Sequence, residues 1–190
     1  MNSRKFLPAA LAVVVLLFIN IACNLTKKTE PIPTEEIPVT TEAVERLRDD
    51  LQKAGQEIKM AGHTTLVIDE AELTSLAAFE LQKQDSPVLQ EPQIFLRDGQ
   101  IKIFVQLEQG NSISSVDIVL DVSANAEGRP EYQIVSAKIG PLPLPESMSQ
   151  QISEQIDKAF TSKIDPQMDD IFIDKITIAG GVMTIQGHMR

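Results

Sequence analysis

Three runs of strict apolar alternation lie end to end between Gln93 and Val122, and no other feature constrains the fold as tightly. Ile94 and Leu96 share one parity up to Asp98-Gly99; Ile101, Ile103, Val105 and Leu107 resume the alternation after it. A side-chain period of two belongs to strands, and Asp-Gly between two such runs is a hairpin turn. In a third run Val116, Ile118, Leu120 and Val122 share one face while Asp117 and Asp121 point to the other, which marks a sheet with one buried and one wet side. Asn125 to Gly128 turns the chain, and Tyr132 to Ile139 supplies a fourth strand. The chain closes with a second hairpin, Ile171 to Ile178 and Val182 to Gly187 around Gly180-Gly181.

Helical periods flank these strands. Val44, Leu47, Leu51, Ala54 and Ile58 follow a 3-4-3-4 spacing from Thr41 onward, a narrow stripe on one helix face. Two heptads are too few for a coiled coil. The stripe is expected to pack on its own domain, with docking of a protein partner through Val44, Leu47, Leu51 and Ile58 as the alternative. Thr64 to Ile68 is a short strand, and Asp69-Glu70-Ala71-Glu72 has the form of a capping box opening a helix to about Lys83. Its apolar face carries Leu73, Leu76, Ala77 and Leu81, with Phe79 to one side. Gly140 to Pro145 is too proline-rich for either regular element and predicts an extended crossing. After it Met148, Ile152, Ile156, Ala159, Phe160 and Ile164 line one strongly apolar helix face. The fold class expected is α+β, with a strongly bent antiparallel sheet wrapping apolar helices.

The N-terminus has the layout of an export signal. Arg4 and Lys5 precede an apolar run from Phe6 to Cys23, broken by Pro8 and Asn20. Cys23 is the chain's single cysteine and follows Ala22, as lipidation and cleavage at a bacterial lipobox require, although Asn20 stands where Leu is usual. At about 1.5 Å per residue the run also spans roughly 27 Å, close to the hydrocarbon thickness of a bilayer, so a retained helix competes with lipidation. A plain cleaved signal is the third reading. The first two place the protein on the extracytoplasmic face of a cell membrane. Residues 24–40, with three prolines and few large apolar side chains, read as an extended tether reaching up to roughly 50 Å, or as a plain spacer. The expected organisation is therefore 1–23 signal or anchor, 24–40 tether and 41–190 one domain.

Across the chain 17 Lys and Arg face 27 Asp and Glu, a net charge of −10. Nucleic acid is excluded, because its phosphates demand clustered cations and no basic stripe exists. Anionic headgroups are disfavoured on the same ground. A single cysteine makes no internal disulfide, so packing alone must hold the fold.

Catalytic chemistry has few candidates. His63 and His188 are the chain's two histidines, one before the first strand and one near the C-terminus, too few parts for a histidine metal site or triad. Nucleophile-elbow, phosphate-loop, dinucleotide and zincin motifs are missing. Asp165, Asp169, Asp170 and Asp174 cluster without the alternating ligands and central glycine of a calcium loop, and read as a solvated loop. The expectation is a non-enzyme without metal or cofactor.

Apolar surface remains. Leu73 and Leu76, Phe95 and Phe104, and Met148, Ile152, Ile156 and Phe160 either form ordinary core or enclose a groove. Here LVIDEAELTSLAAFEL, PQIFLRDGQIKIFVQL, IGPLPLPESMSQQI and FIDKITIAGGVMTIQG matter together. Across these stretches, from about 66 to 187, the sequence resembles the LmeA-like phospholipid-binding proteins and YpmS-like lipoproteins of the tubular lipid-binding (TULIP-like) fold. The resemblance implies a long bent sheet curled around helices, leaving an apolar groove for the acyl chains of a phospholipid or another long apolar ligand. The alternative is a structural or protein-interaction module of the cell envelope with a closed core.

Overall fold

Every locally periodic segment that the computed structural model describes adopts the element its period requires. The described residues are 36–83, 89–109, 112–145, 150 and 170–190. In chain order they form α1 (Thr41–Ala61), β1 (His63–Asp69), α2 (Glu70–Lys83), β2 (Leu89–Arg97), β3 (Gln100–Gln109), β4 (Ser112–Ala124), β5 (Pro130–Ile139), β6 (Leu142–Pro143), β7 (Ile171–Ala179) and β8 (Val182–Met189). Met148, Ile152, Ile156 and Phe160, together with Cys23, lie outside the described residues.

The class is α+β, and the strands form two antiparallel sheets in place of the single sheet expected. One is five-stranded in the order β2-β3-β4-β5-β6, with β2 and β6 at its edges among the described residues; the other is three-stranded, β1-β8-β7. The division follows from a pairing between the two ends of the domain: β1 runs antiparallel to β8 from His63 opposite His188 to Asp69 opposite Val182.

Local chemistry sets the boundaries. Thr40 caps α1, its hydroxyl accepting from the Ala43 amide at 3.2 Å, and Gly62 at φ 76 ends the helix. The capping box forms as read: the Asp69 carboxylate accepts from the Glu72 amide at 2.7 Å, and the Glu72 carboxylate from the Asp69 amide at 2.9 Å. Asn125 closes the β4–β5 turn by accepting from the Glu127 and Arg129 amides at 3.0 and 2.9 Å. The proline-rich crossing contains one regular piece, since Leu142 and Pro143 pair with Ile139 and Lys138 as β6. Proline is tolerated there because the strand lies at the edge.

A bulge between Ile173 and Lys175 re-phases β7. Unbroken alternation would send Ile173 and Ile178 to opposite faces, yet both are buried, at 2% and 7% exposure. The core joins Leu47, Ile68, Ile178 and Met183 to Leu96, Ile101, Val105, Val116, Ile118 and Leu120.

Two readings need correction. The buried face of α2 is polar as much as apolar: Thr74 and Ser75 are fully buried and Glu72 is 4% exposed, while Leu73 and Leu76 are partly buried. Each polar side chain has its own partner: Ser75 accepts from the Thr40 amide, Glu72 closes the capping box, and Thr74 meets the open edge of β2. The Thr74 hydroxyl accepts from the Ile94 amide at 3.0 Å, the Glu70 carboxylate accepts from the Leu96 amide at 2.6 Å, and the Leu96 carbonyl accepts from the Gly181 amide at 3.3 Å. Helix side chains and the Gly181 amide thus satisfy backbone groups that an edge strand leaves open. The last residues of the presumed tether, moreover, belong to the fold. Ile37 is 8% exposed; its amide donates to the Gln93 side chain at 2.7 Å and its carbonyl accepts from it at 3.3 Å, while the Thr40 amide donates to Ser75 at 3.0 Å.

Candidate ligand-binding face

Cross-strand register turns the alternation of the meander into a continuous apolar surface. Leu96 lies opposite Ile101 and Ile94 opposite Ile103 on β2 and β3; Ile101, Ile103 and Val105 lie opposite Leu120, Ile118 and Val116 on β4. Those β4 residues meet Ile134, Ala137 and Ile139 on β5. Between β4 and β5 a bulge after Val119 keeps Ile134 and Ala137 on one side, although their numbering would separate them.

The two described helices cover one part of this surface. α2 packs on β2 and β1, and α1 on β1, β8 and α2. Toward β3, β4 and β5 the face carries Ile103, Leu107, Val122, Ile134, Ala137 and Ile139, all partly buried against the core. At the end of the sheet where β2 begins and β6 lies, Leu89 and Leu142 are 38% and 67% exposed. Leu89 pairs with Leu107 and Leu142 with Ile139, so this exposed rim continues the apolar face.

The four candidate groove residues within the described part do not line one groove. Leu73 and Leu76 pack on the core side with Leu96 and Ile101. Phe95 and Phe104 occupy the opposite face of the same sheet, since each alternates with core residues, and they meet edge-on at 5.7 Å between centroids. That face is not simply wet. Phe95 is 2% exposed, with the Arg97 guanidinium 6.0 Å from its ring centroid. Asp117, paired across the ladder with Phe104 and Lys138, has a fully buried Oδ1 without a hydrogen-bond partner. Burial pushes its carboxyl up from the usual range, against the opposing pull of a Ser115 hydrogen bond and the Lys138 charge.

The α1 stripe packs inward. Val44, Leu47 and Ile58 are 5%, 3% and 2% exposed, which leaves Leu51, at 49%, as the outward member of the four. At the seam between the two sheets an open hollow of about 500 Å³ is lined by Ile37, Asp69, Glu70, Ala71, Arg97, Gly180 and Gly181. Its charges are already partnered: Arg97 pairs with Glu70, and Arg46 lies 3.7 Å from both Asp69 and Glu72. Burial also raises the Glu72 carboxyl, partly offset by the Asp69 amide. Of the aspartate cluster, Asp174 is hydrogen-bonded to His188. Among the described residues no helix is long and apolar enough to cross a membrane.

The strap formed by 36–40 escaped the sequence reading because its one buried side chain, Ile37, sits among prolines and glutamates with no period around it. Comparison with models of known protein families finds no match, and a search of curated proteins returns no relative.

Proposed function

We propose that this protein is a membrane-tethered, extracytoplasmic module that holds the acyl chains of a phospholipid, or another long apolar ligand, against the apolar face of β3, β4 and β5. The observation carrying the reading is that face itself: Ile103, Leu107, Val122, Ile134 and Ile139 are partly buried around the buried Val116, Ile118 and Leu120 of β4, and the face runs out to the exposed Leu89 and Leu142. Exposed apolar surface that continues a buried face marks ligand-binding grooves and interaction sites. In this reading the five-stranded sheet bends around the ligand as in the tubular lipid-binding fold that the sequence resembles, and the rim is the mouth. Each methylene buried contributes about 0.8 kcal/mol, so ten of them give roughly 8 kcal/mol, enough to hold a lipid without any headgroup motif. No bond is made or broken, and the N-terminal segment supplies the anchor.

The test is native mass spectrometry of the full chain purified from a lipid-containing host, followed by organic extraction. A co-purifying phospholipid mass is expected, and the double variant Leu107→Asp, Ile139→Asp should lose it while keeping its circular dichroism spectrum. Wild-type protein that carries no lipid and takes none from phosphatidylcholine vesicles would refute the reading.

A further inference from the structure

The chain's two histidines, too few and too far apart in sequence to suggest a metal site, are direct cross-strand partners, His63 on β1 opposite His188 on β8. One step along the ladder the Met189 amide donates to the Gly62 carbonyl at 2.9 Å. Hydrogen-bonded and non-hydrogen-bonded pairs alternate in an antiparallel ladder, so His63 and His188 form a pair of the second kind. In such pairs the Cα atoms lie about 4.5 Å apart and the side chains stand closest, on one face. Both imidazoles are exposed.

The surroundings of each ring select its tautomer. Nδ1 of His63 lies 3.0 Å from the Ala61 carbonyl oxygen, and Nδ1 of His188 lies 2.8 and 3.0 Å from the two Asp174 carboxylate oxygens. Those oxygens only accept, so Nδ1 donates in both rings and the lone pair of each neutral imidazole resides on Nε2. Metal-ligating histidines are oriented in this way, with the second nitrogen donating to a carbonyl or carboxylate. The β7 bulge places Asp174 between paired residues, and the Phe172 ring lies 5.1 Å from the His188 imidazole. The neighbouring cation, Arg190, is engaged with the Phe172 ring and the Glu127 carbonyl.

We propose that His63 and His188 bind a divalent transition-metal cation of the Zn²⁺, Ni²⁺ and Cu²⁺ class through their Nε2 atoms, with Asp174 as a positioning residue. Paired imidazoles favour these ions over Mg²⁺ and Ca²⁺, which prefer oxygen ligands. Among the described residues no group of three or more His, Cys, Asp and Glu side chains could hold a metal ion, so water completes the coordination shell. A bound ion joins β1 to β8, the long-range pairing that closes the three-stranded sheet, in a chain whose single cysteine makes no internal disulfide.

The experiment titrates the untagged full chain with NiCl₂ or ZnCl₂ by calorimetry and follows thermal unfolding in parallel. One ion per chain is expected, with an unfolding midpoint that rises with metal and does not move with MgCl₂. His63→Ala and His188→Ala should each abolish both effects, and Asp174→Ala should weaken binding about 10–100-fold. Both histidines are exposed, so circular dichroism should show each variant folded. The proposal is overturned if wild type shows neither heat nor a midpoint shift. It is also overturned if His63→Ala binds like wild type, which would point to Cys23, or if one ion is shared between two chains.

Discussion

Gly128 is a tight joint between the two sheets, and replacing it with alanine measures how far that joint depends on its shape. The residue has φ +68, and a Cβ built on it would lie 2.4 Å from two carbons of the Phe172 ring and 2.8 Å from a third. Its carbonyl accepts from the Ile173 amide at 2.9 Å, which ties the β4–β5 turn to β7. An L-residue in the left-handed region costs about 1–2 kcal/mol, and forcing the ring aside costs about 1–3 kcal/mol more. Gly128→Ala should therefore destabilise by roughly 2–5 kcal/mol. With a urea dependence of about 1–3 kcal/mol per molar, the unfolding midpoint should fall by roughly 1–2 M. The two contributions separate in a cycle with Phe172→Ala, measured by urea unfolding of a chain beginning at Glu36. In that background the clash is gone and only the backbone cost, about 1–2 kcal/mol, should remain. An equal cost in both backgrounds would show that the ring does not press on Gly128, and a wild-type cost below about 0.5 kcal/mol would refute the joint altogether.

Thr74→Val keeps the side-chain shape but removes the acceptor for the Ile94 amide, so about 1–3 kcal/mol of stability should be lost on urea unfolding; an unchanged midpoint would mean that the β2 edge is not sealed by α2. Ile37→Ala or Gln93→Ala should loosen the strap by about 1–2 kcal/mol and speed proteolysis within 36–40 by roughly 5–30-fold, with cleavage at the wild-type rate as the contrary result. Asp117 binds its proton more tightly folded than unfolded, because burial raises its pKa. Its contribution to stability is therefore fully present below the unfolded value and is lost as pH rises through the folded one. Asp117→Asn should flatten that slope just above the usual carboxylate range, and parallel stability–pH curves for the two proteins would contradict it.

The sequence by itself determined what depends on neighbours along the chain. A period of two with Asp98-Gly99 dictates the β2–β3 hairpin, a stripe at helical spacing dictates α1, and the Asp69 to Glu72 box dictates where α2 begins, since each is satisfied within a few residues. It also showed which residues of the meander share a face. Tertiary structure alone decided which segments meet. Nothing local in HTTLVID announces that it pairs with VMTIQGHM, and this pairing splits the strands into two sheets and sets His63 beside His188. Likewise the burial of Thr74 and Ser75, the docking of Ile37 and the placement of Phe95 and Phe104 opposite Leu73 and Leu76 depend on where an unpaired strand edge and the two sides of one sheet end up. Periodicity encodes which side chains share a face, whereas the partner of that face is chosen by hydrogen-bond and packing demands that arise only once distant parts of the chain are brought together.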